Sequence, residues 1–162
     1  MLTQIIPLVV FAAIGYFAFT RMKAMKGSAG GSYEAERARL AAEFAALRQP
    51  GENDAAFVGV GTGKTIGKNR QFYIALTNKR LLLNEVGSPQ MLAYDRGAVG
   101  VSAKKAKWTT TGNMQTTTTY GYDVDVKLPS GESHALRLYA ESPYDTGHAP
   151  AMSTFLREVG AA

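Results

Sequence analysis

The chain has 162 residues, 46% of them hydrophobic and 19% charged, which suits one modest folded domain with accessory segments and excludes a large multidomain enzyme. Eighteen basic against 13 acidic residues give a net charge of +5, which favours anionic partners such as a membrane surface or nucleic acid. There is no cysteine and there are two histidines, which exclude disulfide scaffolds, thiolate catalysis, cysteine-based zinc or iron–sulfur sites and any histidine-rich metal centre.

The first predicted element is a membrane span. Residues 2–20 run without a charge, and at ~1.5 Å per residue such a helix reaches ~28 Å, close to the ~30 Å hydrocarbon core. Pro7 falls near its start, where a missing N–H costs little. Arg21, Lys23 and Lys26 follow with no acid before Glu34. Positive charge on that side alone predicts a cytoplasmic C-terminal portion and an outside N-terminus. A secretory signal would carry its positive charge before the apolar stretch, and Ala18-Phe19-Thr20 is a poor cleavage site.

Anchor and basic flank thus occupy 1–26, and Gly27-Ser28-Ala29-Gly30-Gly31 reads as a flexible linker. Residues 32–49 then predict a helix: Ser32 can cap it, Glu34 and Glu36 lie in its first turn, Arg48 in its last, and Pro50-Gly51 stops it. Leu40, Phe44 and Leu47 make one narrow apolar stripe, able to pack on the chain's own domain or on a partner.

Residues 50–162 are expected to form one domain, and from Ala55 onward the pattern is that of strands: short runs of Val, Ile, Leu, Tyr and Thr punctuated by Gly, Asn, Asp and Pro predict strands at 56–61, 71–77, 80–86, 91–95, 98–110, 115–128 and 133–140. Gly112-Asn113 is a candidate two-residue hairpin turn. That turn pairs Val101 with Val124, Val99 with Val126 and Ala103 with Tyr122 on an apolar face, and Ser102 with Asp123, Gly100 with Asp125 and Trp108 with Thr117 on a polar one. Threonines 109–111 and 116–119 extend the hairpin as an uncharged tip, either a solvated ribbon or an arm that lies against a neighbour. Trp108, the only tryptophan, falls on the non-core face near that tip. Met152, Phe155, Leu156 and Val159 predict a closing amphipathic helix. The expected class is α+β: a transmembrane helix, a linker helix, and a seven-stranded antiparallel bent sheet or barrel capped by a C-terminal helix.

At Phe72-Tyr73-Ile74-Ala75-Leu76-Thr77-Asn78-Lys79-Arg80-Leu81-Leu82-Leu83 the sequence resembles the strand–turn–strand signature of bacterial pleckstrin-homology-like domains and the related GRAM type. The resemblance covers about residues 50–161 and includes the strand count and the terminal helix. It departs where eukaryotic relatives bury a tryptophan in the last helix; Phe155 stands there. The resemblance implies binding or scaffolding, puts the expected anchor in a bacterial inner membrane, and brings no catalytic residues with it.

Enzymatic readings fail on spacing. Gly59-Val60-Gly61-Thr62-Gly63-Lys64-Thr65 lacks a glycine at Val58 for a phosphate loop, and a strand follows it instead of a helix. Asp123 and Asp125 share a strand face with Lys127, as a solvated surface does. His134 and His148 have no nucleophile at a recognised spacing and default to surface roles. No cofactor, metal or small-molecule substrate is expected.

Charge is distributed unevenly. From Lys64 to Lys107 there are nine basic and two acidic residues, net +7; from Trp108 to the end the balance is −3. Lys64, Lys68 and Arg70 resemble the basic headgroup-binding loop of lipid-binding pleckstrin-homology domains. With Lys104, Lys105, Lys107 and Trp108 they form the candidate contact set for anionic lipid or a protein partner. Two functions are expected from these features. One is a non-catalytic accessory or scaffold subunit of a larger membrane complex, of energy-transducing, transport or secretion type, with Ala12, Ala13 and Gly15 allowing close contact between spans. The other is a sensor of anionic headgroups on the phospholipid bilayer. Nucleic acid is not expected, since no platform of several aromatics accompanies the basic residues.

Overall fold

The computed structural model describes residues 33–62, 70–112, 114–143 and 145–161. Helix α1, residues 33–47, leads into seven strands: β1 (Val58–Gly61), β2 (Gln71–Leu76), β3 (Arg80–Glu85), β4 (Leu92–Asp95), β5 (Gly100–Gly112), β6 (Gln115–Lys127) and β7 (Ser133–Tyr139). Helix α2, His148–Val159, closes the chain. The strands form one antiparallel sheet in the order β4-β3-β2-β1-β7-β6-β5.

Two parts of the expected architecture need correction. Among the described residues no helix is long and apolar enough to cross a membrane. Helices α1 and α2 reach about 22 Å and 18 Å against the ~30 Å required, and α1 carries Glu34, Glu36, Arg37, Arg39 and Glu43. The span expected at 2–20, its flank Arg21, Lys23 and Lys26, and the linker 27–31 lie outside the described residues. The sheet is also open where a bent sheet or barrel was anticipated, with β4 and β5 as its two edges.

Each face of the sheet has its own helix. On one face Val58, Val60, Ile74, Leu76, Leu81, Leu83, Val124, Val126, Leu136 and Leu138 bury against Phe155 and Leu156 of α2. Strand alternation puts Tyr73, Ala75 and Leu82 on the opposite face, where Leu40 and Phe44 of α1 cover them together with Phe57 and Met91. The narrow stripe of α1 therefore packs on its own domain; Leu47, its third member, is 56% exposed. Coverage from both sides explains why β2 reads as an unbroken apolar run.

Below α1 a polar knot fixes the helix to the β2–β3 turn. Thr77 Oγ1 donates to Glu52 Oε1 at 2.7 Å, Arg80 holds both Glu52 oxygens, and Arg80 Nη2 also donates to the Leu47 carbonyl at 2.9 Å. Asn78 and Asn53 exchange backbone-to-side-chain bonds of 2.9 and 3.1 Å, and Lys79 donates to the Pro50 carbonyl. The Thr-Asn-Lys-Arg turn is thus a grip on the segment that leaves α1.

The β5–β6 register differs from the expected one by two. Val101 faces Val126, Ala103 faces Val124 and Gly112 faces Gln115, with Met114 at φ 61°. An even slip keeps every side chain on its own face, so alternation cannot detect it. What favours the observed register is its cross-strand pairs: Thr109–Thr118, Thr110–Thr117, Thr111–Thr116 and Lys104–Asp123.

Candidate functional site

The outer face of β5–β7, which α1 leaves uncovered, carries an aromatic cluster centred on Trp108. Gly121 sits opposite Ala106 and diagonal to Trp108, and the indole lies across it. A β-carbon at 121 would meet the ring at 2.8 Å and the Leu138 carbonyl oxygen at 2.1 Å, so only glycine fits beneath this tryptophan. Tyr139 approaches the indole edge-on at 5.3 Å, and the Arg137 guanidinium lies 5.0 Å from its ring centre. The indole N–H donates to Asp123 Oδ1 at 3.1 Å. Three strands thereby lock the orientation of a half-buried ring.

The basic residues expected to act with Trp108 are dispersed. Lys104 shares the outer face with it, opposite Asp123. Lys105 and Lys107 alternate onto the core-side face beyond the core, opposite Tyr122 and Tyr120, and Lys107 Nζ lies 5.9 Å from the Tyr120 ring centre. Arg70 immediately precedes β2, four strands away from β5. It makes a two-point ion pair with Glu85, at 2.7 and 2.5 Å, and lies over Phe72. Its partner's carboxyl is held below the usual range by that guanidinium. Lys64 and Lys68 lie outside the described residues.

Sequence reasoning missed Arg137, Tyr139 and Gly121, and it read Asp123 as merely solvated. The signal that could have found them is a strand-interior glycine two positions from a facing tryptophan, since glycine there marks a close approach.

Beside the cluster, on the far side of Tyr139, the outer face dips into a cleft of about 140 Å³ between α1, β1, β2 and the segment before α2. Its floor is β1, where Gly59 and Gly61 present no side chain, and Tyr33, Tyr73 and Tyr139 stand around it. Burial pushes the Tyr73 hydroxyl up to about 12, so it stays protonated. At the α2 end, Asp145 pairs with Arg37 of α1, and Thr146 donates to Glu34 at 2.8 Å. His148, expected at the surface, is buried at 4% exposure with Nε2 2.7 Å from the Tyr139 carbonyl oxygen, because α2 begins beneath the end of β7. His134 is half-buried against Phe72.

Comparison with protein-family models, curated proteins and solved structures finds no significant match to this chain.

Proposed function

We propose that this chain is a non-catalytic interaction module of the pleckstrin-homology-like type, an accessory piece that holds a protein partner against the outer face of β5–β7. The observation that carries the reading is the Trp108 cluster. Tryptophan, tyrosine and arginine dominate the energetic centres of protein interfaces, and all three meet here on an open sheet face. Asp123, Arg137 and Gly121 hold the ring in place before any partner arrives, so little side-chain freedom is lost on binding. The signature at 72–83 and the strand order capped by α2 support the architectural half of the reading.

A lipid-headgroup role has less behind it. Glu85 offsets Arg70, and Lys104 faces away from Lys105 and Lys107, so these four do not form one basic surface.

The chain has no cysteine, so a single one placed at Thr119, opposite Trp108, can carry a photoreactive group. Irradiation in the native extract is expected to give one discrete protein adduct that Trp108→Ala abolishes while the melting curve stays cooperative. The reading fails if the adducts are diffuse or survive Trp108→Ala. It also fails if binding to anionic vesicles, lost on reversal of Arg70, proves to be the only interaction.

A further inference from the structure

We propose that the free edge of β5, over residues 104–112, is a strand-addition site for an extended acidic segment of a partner protein. It lies along the rim of the Trp108 face and does not depend on a partner there. The two edges of the sheet are built differently. Strand β4 has four residues and runs directly into a 3₁₀ turn at Arg96–Ala98, which leaves little to pair with. Strand β5 has 13, its ladder with β6 runs without a bulge from Gly100 to Gly112, and no proline interrupts it. At ~3.4 Å per residue, 104–112 presents about 30 Å of backbone whose alternating N–H and C=O groups have no strand beside them among the described residues. Only another polypeptide matches such a row.

The occupant follows from charge. Lys104, Lys105 and Lys107 are exposed, β5 contains no acid, and among the described residues none of the three forms an ion pair. Asp123, opposite Lys104, accepts the Trp108 indole N–H. Alternation sends Lys104 to the outer face and Lys105 and Lys107 to the other. A flat surface, whether a bilayer or the side of a folded domain, can therefore meet only one group of them. A strand lying in the plane of the sheet sends its own side chains to both faces and can set an acid opposite each lysine. Opposite charges across a strand pair stabilise it, and like charges directly opposite repel. The same lysines thus turn away a second copy of β5 centred on them, where lysine would face lysine. From Trp108 to Gly112 the edge carries no charge, and its threonines suit a strand neighbour.

The probe is a valine–threonine peptide with glutamates placed to fall opposite 104, 105 and 107, titrated into the ¹⁵N-labelled full chain. Saturable shifts and about tenfold slower hydrogen exchange are expected at the amides of 104–112 that point away from β6, with β4 unaffected. The same peptide with glutamine for glutamate should bind about tenfold more weakly. The fully N-methylated glutamate peptide keeps the charges but has no N–H for the ladder, and it should give no protection. Lys105→Glu combined with Lys107→Glu, opposite Tyr122 and Tyr120, should lose the glutamate peptide and gain one with lysine at those two places. The peptide controls on the native chain decide the matter where that variant does not fold. Absence of saturable shifts, equal binding of the glutamine or N-methylated peptide, protection at β4 in place of β5, or retention of the glutamate peptide by the folded variant overturns the proposal. So does concentration-dependent protection of 104–112 in the chain alone, which would put a second copy on this edge.

Discussion

Arg80 grips Glu52 side-on, Nε to one carboxylate oxygen at 3.0 Å and Nη2 to the other at 2.7 Å, with the glutamate 2% exposed. Bidentate geometry and the added bonds from Thr77 and the Gln49 N–H satisfy both oxygens, which is what a buried ion pair needs to offset its desolvation. Removing one partner strands the other. Glu52→Ala is therefore expected to lower stability by about 3–5 kcal/mol, read from urea unfolding at pH 7.

The same pair sets an acid limit. Arg80, ahead of the Gln49 and Thr77 bonds, holds the Glu52 carboxyl at about 2, below its ordinary value of 4.5. A depressed folded-state value stabilises the fold above the unfolded value. That stability is lost as pH falls from about 4.5 towards 2, and it amounts to roughly 3 kcal/mol. Unfolding midpoints measured across that window should fall steeply for the native chain and more gently for Glu52→Gln, which has no proton to take up.

Gly121→Ala should displace the indole that lies over it. The added methyl has no room between the Trp108 ring and the Leu138 carbonyl oxygen, so a loss of about 1–3 kcal/mol is expected. Trp108 is the only tryptophan, so its emission reports the displacement directly; a red shift with faster quenching by iodide is the expected result.

Met114 sits at φ 61° with its side chain fully exposed. A left-handed conformation costs a non-glycine residue about 1–2 kcal/mol, part of which glycine recovers against its larger unfolded-state entropy. Met114→Gly should raise stability by up to about 1 kcal/mol, seen as a melting temperature about 2–4 °C higher.

If α1 belongs to the domain as its packing indicates, Leu40→Ala should cost about 2–5 kcal/mol, because the side chain is wholly buried against the sheet. A single cooperative transition that moves with this substitution checks it; a separate early transition for the helix would refute it.

All seven strands lie within two residues, at either end, of where alternation and turn residues put them, because a half-buried pleated surface imposes a period of two on the sequence. What alternation could not supply was an even slip of the β5–β6 pair, which leaves Val101 and Val124 facing the core in either register. The stripe Leu40–Phe44–Leu47 could not reveal its own target, since a narrow apolar edge suits a sheet or a foreign surface equally. The site was legible only at Trp108. Arg137, Tyr139 and Asp123 join it from strands far along the chain, and nothing in the expected strand 56–61 marked Gly59 and Gly61 as the floor of a cleft. The lysines grouped in sequence at 104–107 part company in space because neighbours on a strand point to opposite sides.

Double-sided coverage of β2 and β3 has a dynamic consequence. Their amides are sealed between two helices and should exchange with solvent only when the whole domain opens, whereas the threonine ribbon at 109–111 and 116–118, bare on both sides, should exchange through local fraying. The sheet is rigid in its middle and loosens towards β5, so the segment best able to mould itself to another molecule begins one residue past the tryptophan.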